Sequence, residues 1–170
     1  DRVQTSSVRY RDTWLETTVA TTDGTCVAQE EVFCGASLAA IARDGANVQR
    51  AYKSVGDLRG YCIVEGLDDE CERVVERAVG LLHAAPAKGG RTTVVVDPVL
   101  AGVFAHEAFG HLSEADFVYE NPALREMMQL GRRFGQDHLS IVDDPTLAGE
   151  AGSYRYDSEG TEARPTCLLK

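Results

Sequence analysis

From Val99 to Phe109 the chain carries Val99, Leu100, Ala101, Val103, Phe104, Ala105, Ala108 and Phe109, apolar on every side of a helix, yet it sets His106, Glu107 and His111 into the same stretch. A helix that is apolar all round is expected to be buried. A buried carboxylate is costly unless it is paired, hydrogen-bonded or facing a metal ion, so these three polar groups need a reason to be there. Asp97-Pro98 supplies an N-cap followed by proline at the first helical position, which predicts a helix from Val99 to about His111.

The spacing is H-E-x-x-x-H, one residue longer than the H-E-x-x-H in which two histidines chelate zinc and the glutamate acts as general base. At ~100° per residue, positions i and i+4 lie ~40° apart around a helix axis, whereas i and i+5 lie ~140° apart. The two imidazoles can share an ion only if the helix ends or widens by a π-like turn between them, and Gly110 lowers the backbone cost of either. A reading without metal competes: His106 caps or packs, and His111 merely follows a helix-ending glycine. With metal, Zn²⁺ being the best match, neutral His106 and His111 would be ligands, and at least one further protein ligand and an open position would be needed. Glu107 would then be the general base on a zinc-bound water and would later protonate the leaving amine.

The remaining pattern predicts an α+β fold. Residues 13–22 are rich in β-branched types and run into Asp23-Gly24, a tight-turn dipeptide; strands over 25–33 and 37–43 should follow, interrupted by Gly35 and closed by Asp44-Gly45. This is an antiparallel β meander. Leu67, Cys71, Val74, Val75, Ala78, Leu81, Leu82 and Ala85 then recur with helical period behind an acidic start, Asp68-Asp69-Glu70, and Pro86 stops the helix. Arg91 to Val96 reads as a buried strand, Asn121-Pro122 as the cap of a helix from Ala123 to about Arg133, and Leu139–Val142, 153–157 and 163–169 as short strands. No internal repeat is evident. The organisation expected is an amino-terminal β/α region over 1–90 and a motif-bearing α+β region over 91–170 with mixed short strands.

Charge narrows the function classes. Seventeen basic against 27 acidic side chains leave a net charge of −10, and the excess gathers late: residues 1–60 hold 7 basic and 8 acidic groups, residues 61–170 hold 10 and 19. Such a surface repels phosphate backbones, so neither direct nucleic-acid binding nor an anionic membrane surface is expected. Five cysteines, Cys26, Cys34, Cys62, Cys71 and Cys167, have no C-x-x-C spacing and read as reduced thiols of a soluble, cytoplasmic protein. There is no Gly-rich phosphate loop and no G-x-S-x-G elbow.

The run Ala101 to His111, the following Glu114-Ala115-Asp116-Phe117, Val142-Asp143-Asp144 and Asp157-Ser158-Glu159-Gly160 together resemble the TldD/PmbA family. The detailed likeness covers about residues 94–169, and the upstream hairpin and helix resemble the family more loosely. That family is linked with metallopeptidase action on peptides and with the older name modulator of DNA gyrase. The resemblance implies that His106 and His111 bind zinc and that a cysteine in a later, mostly β domain completes the site. Cys167 does not sit in that cysteine's setting, so the third ligand is expected outside this chain. Because all three motif residues are kept, the chain resembles the active, TldD-like subunit rather than the partner type that lacks the histidines. It is expected to be a central piece, starting at Asp1, without the carboxy-terminal β domain and inactive alone. The whole protein is expected to be a zinc metallopeptidase hydrolysing peptides or unfolded proteins bound in extended form, as a homo- or heterodimer with a family member. The alternatives are a non-catalytic scaffold or partner subunit, and a regulator of DNA gyrase.

Weaker candidates surround the motif. Glu114 and Asp116 are placed to orient an imidazole N–H, or to form only an acidic turn. His138 beside Asp137 reads as a surface histidine, Asp143-Asp144-Pro145 and Asp157 to Gly160 as turns ending strands, and His83 as a cation at a helix C-terminus.

Overall fold

The computed structural model describes residues 2–170 and has the α+β class that the pattern predicts: a three-stranded antiparallel sheet, then helices, then a small two-stranded sheet. The chain forms two compact units. One comprises residues up to Lys88 together with Pro145–Arg164, the other Gly89–Asp144 together with Pro165–Lys170.

In the first unit, β1 (Val3–Ala20), β2 (Cys26–Asp44) and β3 (Asn47–Asp57) form a meander in the order β1-β2-β3. The β1–β2 turn falls at Asp23-Gly24, with Gly24 at φ 100°, and the β2–β3 turn at Asp44-Gly45, with Gly45 at φ 60°. Both turns sit where the dipeptides place them, because only glycine adopts this backbone without strain. Gly35 does not interrupt a strand: β2 runs unbroken through it, paired with Arg11 on one side and Gly56 on the other. Its role is close approach. A Cβ at Gly35 would lie 2.8 Å from the Val55 carbonyl oxygen and 3.2 Å from the Phe33 ring.

One sheet face is sealed by α1 (Asp68–Leu81), whose acidic first turn opposes the positive end of its dipole. Val74, Ala78 and Leu82 meet Leu38, Ala40, Ala42 and Ala51, all buried, with Leu67, Cys71, Val75 and Val79 packed at the margin. Alanines on the strands let the helix approach the sheet, so the core is made by shape rather than by bulk. The helix ends before Pro86, and Asn47 Nδ2 donates to the Leu82 carbonyl at 3.0 Å. His83 turns to Arg2. Its Nε2 lies 2.6 Å from the Arg2 guanidinium, which has only donors to offer.

Residues 145–164 complete this unit through turns rather than a strand. Gln29 holds them: its Nε2 donates to the Tyr156 carbonyl at 2.9 Å, and its Oε1 accepts from the Tyr156 N–H at 2.8 Å. The expected strand near 153–157 reduces to a single bridge, Tyr156 to Glu162, and Asp157 Oδ1 accepts the N–H groups of Glu159 and Thr161, both at 2.9 Å. At the other end Arg59 grips the buried Asp57, with its own N–H at 2.8 Å and its Nε at 2.6 Å.

The second unit contains α2 (Pro98–Ala105), a π turn (His106–Gly110), a 3₁₀ turn (His111–Ser113), α3 (Ala115–Glu120), α4 (Pro122–Met127), β4 (Ile141–Asp143) and β5 (Thr166–Leu169). Both predicted caps are made: Asp97 accepts from Leu100 N at 2.7 Å, and Asn121 accepts from Ala123 N and Leu124 N at 3.0 and 3.2 Å. Three expectations fail here. Arg91–Val96 is not a buried strand but irregular chain with Val95 at 99% exposure, because its apolar side chains find no cover and it does not pair with the two-stranded sheet of this unit. The α2 helix is not buried: Val99 and Phe104 are 77% and 70% exposed, because the unit's small sheet and short helices cover little apolar surface. The helix capped by Asn121 ends at Met127 rather than near Arg133. The last strand, β5, pairs antiparallel with β4, Val142 opposite Cys167. Among the described residues no helix is long and apolar enough to cross a membrane.

Candidate metal centre

The π turn is what makes the motif a site. At its end the His111 N–H bonds back to the His106 carbonyl, five residues earlier, in place of the four-residue step of a regular helix. The extra residue in the turn brings positions i and i+5 round to one side, as i and i+4 are in a regular helix. Consequently the two imidazole rings meet edge to face, centroids 4.4 Å apart and planes inclined by 66°. One ligand atom from each of His106, Glu107 and His111 lies within 4.8 Å of the others, and all three side chains are open to solvent.

Several neighbours shape this turn. Phe109 points inward, 7% exposed, and stacks edge to face on Phe134 with centroids 5.2 Å apart, which anchors the turn opposite the polar side. Ser113 Oγ donates to the Gly110 carbonyl at 2.8 Å, satisfying one acceptor that the helix end releases. Neither Phe134 nor Ser113 announces itself in sequence, since each acts only through the turn it touches. Gly110 is not needed for its freedom: it sits at φ −53°, ψ −58°, ordinary helical values.

Of the flanking acids only one reaches a histidine. Glu114 Oε1 lies 2.7 Å from His111 Nδ1, while Asp116 instead accepts its neighbour's N–H, Phe117, at 2.9 Å. On the other side of the His111 ring, Nε2 stands 3.9 Å from Glu107 Oε2. His138 is exposed, with Asp137 paired to Arg133 at 2.9 Å. Cys167 is exposed on β5 and does not join the histidine group. Beside the motif a groove of about 610 Å³ is walled by His106, Gly110 and Glu114 on one side and by Ile141, Val142 and Asp143 of β4 on the other.

The imidazole nitrogens of His106 and His111 suit Zn²⁺, which takes nitrogen donors, and they leave positions open in a four-coordinate shell, with the Glu107 carboxylate close by. A helix that opens into a π turn to gather these donors defines an α+β protein with a candidate metal centre of the H-E-x-x-x-H kind. Residues 1–83 match the PmbA/TldA metallopeptidase central domain, and residues 89–170 match the PmbA/TldA metallopeptidase C-terminal domain. The chain belongs to the TldD/PmbA family. It is similar along its whole length to a metalloprotease of Synechocystis sp., 44% identical over 170 residues that make up 37% of that relative. A metalloprotease of Methanothermobacter thermautotrophicus is 38% identical over 172 residues, again all of this chain and 37% of the relative. A zinc metalloprotease TldD homolog of Saccharolobus solfataricus is 26% identical over 170 residues, 99% of this chain and 38% of the relative. The chain thus spans about 37% of the length of the first two of these curated relatives. No solved structure matches.

Proposed function

We propose that this chain supplies two metal ligands, His106 and His111, and the general base, Glu107, of a cytoplasmic zinc-dependent metallopeptidase. The observation that carries this reading is the convergence of the three donors within 4.8 Å at the π turn. A zinc ion, when bound, would polarise the peptide carbonyl and lower the pKa of the attacking water. His106 and His111 would present neutral ring nitrogens, and the Glu107 carboxylate would take the water's proton and return it to the leaving amine. The groove along β4 is open enough for a peptide or an unfolded segment in extended form, with Ile141 and Val142 offering apolar wall. In this reading a third protein ligand comes from outside this chain, as the likeness to the family implies. The five free cysteines fit a reducing compartment, and pairing with a second family member, identical or not, belongs to the same reading.

The test uses the whole protein. Glu107→Gln keeps the side chain's size and removes the proton acceptor, so zinc content should persist while peptide cleavage falls by roughly 10²–10⁴-fold. His106→Ala should lose both zinc and cleavage. Full cleavage by Glu107→Gln would overturn the mechanism, and a scaffold role would leave function intact in both variants.

A further inference from the structure

A metal-binding histidine is only half described by its ligand nitrogen, because the other nitrogen decides which tautomer the ring adopts and how the ring is turned. His111 Nδ1 lies 2.7 Å from Glu114 Oε1, a distance at which the carboxylate accepts an N–H. With the proton on Nδ1, the lone pair is left on Nε2, the atom that faces Glu107 Oε2 at 3.9 Å.

Glu114 is itself held in place. Its backbone is extended (φ −62°, ψ 129°) between the 3₁₀ turn and α3, where its N–H donates to the His111 carbonyl at 3.3 Å and its carbonyl accepts the Val118 N–H at 3.0 Å. The same short segment therefore ties Glu114 to the His111 backbone and side chain together. Asp116, two residues on, has turned to its own backbone, so the role falls to one acid.

We propose that Glu114 is the positioning residue of the centre: it fixes His111 in the Nδ1–H form and aims Nε2 at the position shared with His106 and Glu107. This rests on the metal reading above, but the tautomer it sets exists without metal. A carboxylate behind a ligating imidazole raises its basicity and restricts its rotation, and removing such a partner typically weakens metal binding 10–100-fold.

The experiment uses the whole protein labelled with ¹⁵N-histidine, metal-free, at a pH where imidazoles are neutral, with the His111 signals assigned by their loss in His111→Gln. The expected wild-type spectrum shows His111 protonated at Nδ1. Glu114→Ala should shift the ring toward the Nε2–H form and weaken Zn²⁺ binding 10–100-fold in a chelator competition. Glu114→Gln, which keeps an acceptor oxygen, should retain the tautomer and lose less affinity, and the tautomer is the readout that a mere packing role would not move. An Nε2–H ring in the wild type, or unchanged tautomer and zinc affinity in Glu114→Ala, overturns the assignment to Glu114. A wild type that shows the Nδ1–H ring but takes up no zinc overturns the metal reading instead, and the ligand-aiming role with it.

Discussion

The rings of His106 and His111 touch edge to face at 4.4 Å although five positions separate them in the chain. A regular helix would hold them ~140° apart around its axis, so this contact is the signature of the π turn. The prediction is direct: ring protons of the two histidines should show a strong mutual nuclear Overhauser effect without metal. Its absence would mean that the turn is regular helix and that the donors do not converge.

Gly110 and Gly35 should respond oppositely to alanine. Gly110 has helical angles, and a Cβ there would meet nothing nearer than His106 Nδ1 at 3.6 Å, ordinary contact. Alanine is the better helix former by ~0.8–1.0 kcal/mol, so Gly110→Ala should leave stability unchanged or slightly raised, with the histidine contact intact. Urea unfolding of the variant checks this, and a loss above ~1 kcal/mol would show that the turn requires glycine after all.

At Gly35 the new Cβ would sit 2.8 Å from a backbone oxygen, which cannot move aside without shifting β3. Gly35→Ala should destabilise by ~1–3 kcal/mol, the usual cost of overpacking. A midpoint equal to the wild type's would refute the close packing of Phe33 and Val55 around that position.

These contrasts show what the sequence could convey. The turns at Asp23-Gly24 and Asp44-Gly45, the caps Asp97 and Asn121, the acidic start of α1 and the need for the helix to end or widen between the histidines were all legible, because each is set by residues near in sequence. Gly35 was misread because a glycine in a strand run signals a break and a close approach equally. The exposure of α2 and the irregular, exposed course of 91–96 were misread because apolarity says that a segment seeks cover, not that cover is present. Around the centre, H-E-x-x-x-H gave the donors, but only the fold singled out Glu114 from Asp116.

The core of the first unit should be sensitive where Leu38 meets α1 and indifferent on the uncovered strand face. Leu38 is 3% exposed in the cluster with Val74 and Ala78, so Leu38→Ala should cost ~2–5 kcal/mol. Tyr52, 66% exposed, should cost less than ~1 kcal/mol when replaced by alanine. Equal losses in denaturant unfolding would mean that the opposite face is covered as well.

Acid should weaken the first unit through Asp57. Burial by itself would push this carboxyl up, but the Arg59 N–H and guanidinium more than offset it, so the folded carboxyl titrates below its ordinary value. A depressed folded pKa means that the unfolded chain binds the proton first as pH falls. The contribution of Asp57 is thus complete above the ordinary carboxylate range, at about pH 5 and higher, and drains away as pH drops through the folded value. Asp57→Asn, which cannot ionise, should lower stability at neutral pH and flatten the acid limb of a plot of thermal midpoint against pH. If the variant and the wild type lose stability in parallel below about pH 5, the Asp57–Arg59 grip is not what acid releases.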